Sequence, residues 1–586
     1  FASDAISSSA YATQEILLVL GLSGLWLTHP HLYRDIPLKI ALAIAALLWV
    51  VVISYWQTIF AYPNGGGAYI VARDNLGEVA AQIAGAALLT DYILTVAVSV
   101  SSGVAQIVSA FPGLVPLRVV IAVSVIAFMT LINLRGVRES GSIFAIPTYF
   151  FLGMMFLTLG IGFFRWATGT LPTVSGVEQV AVQSLAPLGL FLILRAFSSG
   201  STALTGIEAI SNGITAFKEP RSRNAARTLV VMSTVLITLF LGITILARHI
   251  QAVPSHQETV ISQLARTVFG GSSIGYLLVI AGTALVLLMA ANTSYADFPR
   301  LAALHAGDGF LPRQLTYRGG RLVFSWGIMT LALAASTLVV LLRASTTALI
   351  PLYAIRVFLS FSISQTGMVV RLRKISQLKP GEVIQGLETT LEYDPHWRIH
   401  MAISAVGAVC TFVVMLIFAI TKFMSGAWFI LLLIPTLVFI FFRIHHHYKD
   451  VSQVLSLANT NTQSLIETDR VITVLLVDGV HMGTLQMVNF AKSMGNPWHA
   501  IHVGVNHERT VATQARWDKY IHEGELVIIP SPYRHLVAPI REYVIGLLKD
   551  NPRAIVHVVM GHLSMDSLLT QALHQNSSLI LNVALS

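Results

Sequence analysis

Asp4, Ser8 and Tyr11 stand at i, i+4 and i+7, immediately ahead of the apolar run Ile16-Leu17-Leu18-Val19-Leu20. If the segment is helical, or only locally unwound, a carboxylate, a hydroxyl and a phenol converge on one face. An acidic side chain in hydrocarbon costs at least ~2.5–3.5 kcal/mol, so such a group calls for a partner, and the partner expected for a fixed negative charge is a cation. A second reading makes Asp4 the N-cap of a helix that starts at the water boundary.

The same chemistry recurs twice. In Thr90-Asp91-Tyr92-Ile93-Leu94-Thr95-Val96-Ala97-Val98-Ser99, the residues Asp91, Thr95 and Ser99 fall at i, i+4 and i+8 and line one stripe of a helix. Either hydroxyl taken alone also fits a bond back to a backbone carbonyl. Asp91 has no Lys or Arg in its own segment. Further on, Ser198 to Gly213 carries glycines at 200, 206 and 213 among hydroxyl side chains, which predicts a helix broken near Thr205-Gly206. Thr205 and Glu208 are expected to project together at i and i+3. Glu208 reads either as a proton carrier in a membrane cavity or as an acceptor for backbone N–H groups freed at the break.

The elements that must position these residues are membrane helices. Of 586 residues, 55% are hydrophobic and only 11% are charged, with mean hydropathy +0.72. That excludes an ordinary soluble globule. About twelve apolar segments reach the roughly 20 residues a span requires. They centre near Leu18, Leu48, Val96, Ile126, Leu157, Thr202, Leu236, Leu285, Leu333, Leu359, Val413 and Leu433. The chain opens on Phe1 without a signal-peptide pattern, so its first residues are read as missing and the early apolar segment as a true span. Basic residues gather on alternate connections, among them Arg73, Arg135, Lys218, Arg221, Arg300, Arg313 and Arg371, which places both termini in the cytoplasm. The net charge of +9 is assigned to these loops rather than to nucleic acid. Cys410, the only cysteine, excludes an internal disulfide and reads as a packing residue.

The interrupted first and sixth segments hold corresponding positions in two groups of five spans. That pattern points to an inverted-repeat transporter with a midplane site built from broken helices. The groups at the breaks offer only oxygen, which suits a monovalent cation stripped of its hydration shell.

From about Thr468 the apolar runs shorten to strand length and alternate with helical patterns. Strands are predicted at Val471–Val477, Ala500–Val505, Leu526–Ile529, Ala554–Met560 and Leu579–Val583, with helices at Leu485–Met494, Ala515–Ile521, Leu536–Leu548 and Ser564–His574. This is the signature of a doubly wound α/β domain, which binds ligands at the carboxyl ends of its strands. The expected organisation is a membrane domain over 1–445, a linker over 446–467 and a cytoplasmic α/β domain over 468–586.

The runs Asp4 to Tyr11, Tyr62 to Tyr69, Asp91 to Ser99 and Thr205 to Gly213 resemble the KUP potassium-uptake family, within the amino acid–polyamine–cation superfamily, and its KimA branch above all. The resemblance covers nearly the whole chain. It implies a LeuT-like 5+5 inverted repeat plus two helices, proton-coupled potassium import across the cytoplasmic membrane, and a homodimer joined through the cytoplasmic domains. On matching positions it implies potassium ligands at Asp4, Tyr11, Asp91, Tyr92, Thr95, Ser99 and Thr205, with Glu208 coupling the proton. Tyr353, in Ile350-Pro351-Leu352-Tyr353, is by the same likeness a gating or binding tyrosine, or else an interfacial aromatic.

The tail resembles the universal-stress-protein type of domain. Only Gly561-His562 remains of the glycine-rich pattern with which that group holds ATP. The KimA resemblance instead implies inhibition by cyclic di-AMP. Asp478, Asn506 and His507 at strand ends are candidates for its sugar or base, and Arg313 with Arg318 and Arg321 for its phosphate, although these arginines also simply satisfy the positive-inside rule. Pro63-Asn64-Gly65-Gly66-Gly67 lacks the Gly-Lys-Ser/Thr ending of a phosphate loop and reads as a tight turn or a gate. His445-His446-His447 reads as an interfacial collar or a metal tract.

The sequence therefore predicts a proton-coupled potassium importer that needs no cofactor and is not an enzyme. An amino-acid or polyamine transporter on the same fold is the alternative. A membrane-anchored receptor is disfavoured, because a passive anchor gains nothing from buried carboxylates in three spans.

Overall fold

The computed structural model describes residues 2–25, 29–65, 67–136, 141–178, 180, 189–255, 257–318, 323–454, 470–531 and 537–561. The chain divides into two units, Phe1–Asp450 and Val451–Ser586.

Eleven helices among the described residues are long and apolar enough to cross a membrane, and one further apolar helix, Ser325–Leu341, is 17 residues long. Together they occupy the twelve predicted positions. The first span is split into α1 (Ala2–Ser7) and α2 (Ser9–Leu22). Then come α3 (Pro30–Ala61), a short α4 (Ala68–Asn75), α5 (Glu78–Ala110), α6 (Arg118–Leu134) and α7 (Gly141–Ala167). The sixth span is α8 (Leu190–Gly200), a 3-10 turn Ser201–Leu204, and α9 (Glu208–Asn212). It is followed by α10 (Arg221–His249), a short amphipathic α11 (Val260–Phe269), α12 (Ile274–Gly307), α13 (Ser325–Leu341) and α14 (Thr346–Ile375). A hairpin, β1 (Val383–Gln385) with β2 (Thr390–Glu392), precedes α15 (Trp397–Thr421) and α16 (Ala427–Val454). Because α16 continues to Val454, residues 446–454 of the expected linker are helical. The remainder, 455–467, lies outside the described residues.

Burial separates interior from peripheral spans. In their most apolar stretches, the first span and α5 are 89% buried, while α6 and α16 are each 22% buried. The interior spans carry the polar side chains. They pack through small residues, as expected where lipid is as apolar as the partner helix and close backbone approach supplies the attraction. Gly103 of α5, for example, lies against the Ala284 carbonyl of α12.

The second unit contains a parallel sheet in the order β5-β4-β3-β6, made of β3 (Arg470–Leu476), β4 (Trp498–Gly504), β5 (Leu526–Pro530) and β6 (Ala554–Met560). Helices α17 (Met482–Ser493), α18 (His507–Tyr520) and α19 (Val537–Asp550) alternate with the strands. Leu475 and Ala500 pack with Val488, Ala491 and Trp517, whereas Ile472, Val474, Ile501 and Val503 pack with Ile540. Both faces of the sheet are thus covered, which is why the strand sequences read as continuous apolar runs. The predicted helix at Ser564–His574 and strand at Leu579–Val583 lie outside the described residues.

Candidate functional site

The two interrupted spans meet at their breaks. Thr205 is extended (φ −69°, ψ 150°) and Gly206 is left-handed at φ +83°. A β-carbon on Gly206 would stand 2.7 Å from the Ala5 nitrogen and 3.0 Å from the Asp4 carboxyl carbon. Only glycine supplies both that backbone conformation and that approach. The Ser8 hydroxyl fastens the two breaks together, donating to the Ala5 carbonyl at 2.6 Å and to the Ala203 carbonyl at 2.9 Å. Ser8 therefore bonds backbone across the junction.

Around this junction the side chains named from sequence fall into two groups. Asp4, Tyr11, Asp91, Thr95, Thr205 and Tyr353 form one. The Tyr11 hydroxyl lies 3.5 Å from Thr205 Oγ1, which itself donates to the Thr202 carbonyl at 2.9 Å. Thr95 Oγ1 donates to the Tyr353 hydroxyl at 3.2 Å. Asp4 and Asp91 are near enough to act on each other electrostatically, and Tyr353 has Asp4, Tyr11 and Asp91 as neighbours. Tyr353 is 2% exposed, so it is an interior side chain and not an aromatic at the membrane interface. Ser99 is buried one helical turn beyond Thr95.

Tyr92 belongs to the second group. Its hydroxyl accepts from Asn212 at 3.1 Å, and with Asp297, Asn212 and Arg300 it lines a cavity of about 390 Å³. Glu208 also departs from the expected pairing with Thr205. The extended backbone at Thr205 removes the helical register between them, and Glu208 Oε2 instead accepts from Ser360 of α14 at 2.8 Å, with Tyr55 of α3 beside it.

Sequence reasoning missed the group opposite Asp91. Arg356 of α14 is fully buried, and its Nη1 stands 3.7 Å from Asp91 Oδ1. Its Nε donates to the Leu352 carbonyl at 2.8 Å and its Nη2 to the Tyr353 carbonyl at 3.1 Å. Arg356 lies three positions after Tyr353, so helical spacing from the named tyrosine was the available signal. A second missed cluster is buried between the first, sixth, tenth and eleventh spans. Thr347 donates to Glu15 at 3.2 Å, and Lys422, electrostatically linked to Glu15, donates to Ser199.

The β1–β2 hairpin was also not foreseen. Asp74 of α4 accepts from the backbone N–H groups of Leu387 and Glu388 at 3.1 and 3.3 Å. It accepts too from Tyr62 at 2.9 Å and pairs with Arg371 at 3.4 Å. Arg73 pairs in turn with Asp308 at 2.9 Å and with Glu388 at 3.5 Å. Glu388 and Thr389 line the cavity that Tyr92 faces, so the hairpin forms part of its wall. Gly65 and Gly67 of the glycine-rich turn pack against Asn212, as a tight turn beside the sixth span.

Of the residues considered for a nucleotide, Arg313 belongs to the first unit, where its guanidinium covers the Tyr448 ring at 4.9 Å. Asp478 and Asn506 follow the adjacent parallel strands β3 and β4. Asn506 caps α18, its side-chain oxygen accepting from the Glu508 and Arg509 N–H groups, and His507 opens that helix. All three are exposed. His445 stacks on Phe310 at 4.3 Å and 9°.

The amino acid permease family matches residues 8–442, and the KimA potassium transporter C-terminal domain matches residues 468–586. The potassium transporter KimA of Bacillus subtilis (strain 168) is 40% identical over 542 residues, which is 92% of this chain and 84% of the relative. Among solved structures, a manganese transporter of Eremococcus coleocola matches at 12% identity and TM-score 0.35, covering 77% of this chain and 96% of its own. Mhp1, a nucleobase-cation-symport-1 family transporter, matches at 17% identity and TM-score 0.37, covering 75% of this chain and 92% of its own. Both structural likenesses are too distant to add to the description above. With broken spans that meet at a carboxylate and hydroxyl site, a parallel α/β tail and these family matches, the chain belongs to the KimA potassium transporter family, with a membrane part of the amino acid permease type.

Proposed function

We propose that this protein imports potassium across the cytoplasmic membrane in symport with protons. The observation that carries the reading is the junction of the two broken spans. There the carboxylates of Asp4 and Asp91 and the hydroxyls of Tyr11, Thr95, Thr205 and Tyr353 gather as oxygen donors, with the Arg356 guanidinium beside Asp91. Oxygen dipoles of this kind replace the hydration shell of a monovalent cation. The 40% identity to a potassium transporter supports the same ion. Ser99 extends the oxygen stripe by one turn, and Tyr92 meets the ion on the side of the cavity it shares with Asp297. Glu208, buried and bonded to Ser360, carries the coupled proton.

Both termini face the cytoplasm in this reading, and the 468–586 domain regulates transport and joins two copies of the chain. Cyclic di-AMP is its inhibitory ligand. Asp478, Asn506 and His507 at the carboxyl ends of β3 and β4 are its candidate contacts. The helix-capping bond of Asn506 leaves its amide N–H groups to meet a base.

Rubidium uptake into proteoliposomes under an inward proton gradient tests the reading. Wild type accumulates rubidium, Asp91→Asn does not, and Glu208→Gln loses the dependence on the gradient. A folded, inserted wild type that moves no alkali cation overturns it and makes polyamine uptake the next assay. Titration of the full chain with cyclic di-AMP tests the regulatory part separately.

A further inference from the structure

We propose that Arg356 is a tethered cation of the transport site, which offsets one carboxylate charge and thereby restricts the site to monovalent ions. The inference rests on the reading of that site as a potassium site.

The guanidinium is held in a way that leaves one face for this task. Nε and Nη2 are engaged by the carbonyls of Leu352 and Tyr353 on its own helix, and the group also lies 5.5 Å from the centre of the Tyr353 ring. Nη1 alone is turned to Asp91. Among the described residues neither Nη1 nor Asp91 Oδ1 has a hydrogen-bond partner, and at 3.7 Å the two interact as charges without a direct bond. The charge of Asp91 is thus offset without Oδ1 being taken up by a hydrogen bond. Glu208 is the other charged group that Arg356 faces.

The consequence concerns charge number. With Tyr11, Thr95, Thr205 and Tyr353, the two carboxylates of Asp4 and Asp91 make six oxygen-bearing side chains at the junction of the broken helices. A buried cluster of that many oxygens, uncompensated, is the ligand chemistry of a divalent ion. The desolvation of an ion rises steeply with its charge, so a divalent cation enters only where fixed negative charge is in excess. A permanently charged guanidinium removes one unit of that excess and cannot lose its proton as lysine can.

Cation-dependent thermal stabilisation of the full-length protein in detergent tests this without requiring turnover. The probes are potassium and barium, a divalent ion close to potassium in size. Wild type is stabilised by potassium and not by barium at the same concentration. Arg356→Gln responds to barium at a concentration at least tenfold lower than wild type does. Arg356→Lys, which keeps the charge, retains the wild-type preference although its transport rate falls. A folded Arg356→Gln protein that ranks the two ions as wild type does overturns the proposal. If Arg356→Gln does not fold, a folded Arg356→Lys protein that has become sensitive to barium overturns it equally. A wild type that is not stabilised by potassium and takes up no rubidium removes the potassium reading itself, whereas potassium-responsive wild type with an unaltered glutamine variant removes only the role of Arg356.

Discussion

The α-carbon of Gly206 lies so close to Ala5 that a β-carbon in its place would meet the Ala5 nitrogen at 2.7 Å, and its φ is +83°. The two broken helices therefore meet backbone to backbone, and the carboxylate of Asp4 is set at the seam.

Gly206→Ala must relieve a backbone clash and an unfavourable left-handed conformation together, a combined cost of order 1–3 kcal/mol or more. Rubidium uptake is expected to fall at least tenfold and the melting temperature to drop. Retained uptake in this variant would show that the seam opens freely.

Asp91→Asn leaves Arg356 without its ionic partner in a buried position. Breaking one side of a buried pair costs about 3–5 kcal/mol, so the single variant is expected to be less stable than wild type in thermal melts. The double variant Asp91→Asn with Arg356→Met is expected to recover most of that loss while remaining unable to transport. A double variant no more stable than Asp91→Asn alone would show that the two charges do not depend on each other.

Asp74→Ala deprives two backbone N–H donors of the β1–β2 hairpin, those of Leu387 and Glu388, of their acceptor, and does the same to Tyr62 and Arg371. The side chains of Asp74 and Arg371 are only 4% and 6% exposed, which makes the loss larger than for a surface pair. A glutamate-specific endopeptidase is expected to cut after Glu388, between β1 and β2, faster in the variant than in wild type. Equal cleavage rates would mean that the hairpin is held by its other contacts.

His499 in β4 accepts from the Tyr543 hydroxyl at 2.8 Å when its ring is neutral, and burial holds its protonation below the ordinary histidine range against the opposing pull of Glu525. An unfolded chain thus binds a proton there more readily than the folded one does. The contribution to stability is complete above the unfolded value of about 6.5 and is lost as pH falls from there through the folded value. Protection factors in β4 and α19, which are exchange rates corrected for the intrinsic base-catalysed pH dependence, are expected to fall between pH 7 and 5, and His499→Gln is expected to flatten that fall. Equal pH dependence in the variant would place the effect elsewhere.

The spans, the two breaks and the parallel tail were legible in the sequence because each is written in local terms. Twenty apolar residues, glycines among hydroxyls, and strand-length apolar runs depend on neighbours in the chain. The hairpin between α14 and α15 was not legible, since its short strands alternate weakly and its stability comes from Asp74, distant in sequence. The pairing of Thr205 with Glu208 was misjudged for a related reason. Helical spacing was applied across the very break that the glycines predicted, and the backbone there is extended.

The sequence by itself determined a membrane transporter with acidic and hydroxyl groups on interior spans, because the cost of placing such groups in hydrocarbon is paid residue by residue. Only the tertiary structure decided their partners. It set Arg356 against Asp91, Ser360 against Glu208 and Lys422 near Glu15, residues of spans far apart in the chain. Coulomb and hydrogen-bond energies depend on distances of a few ångströms between groups, and such distances arise only when the helices pack.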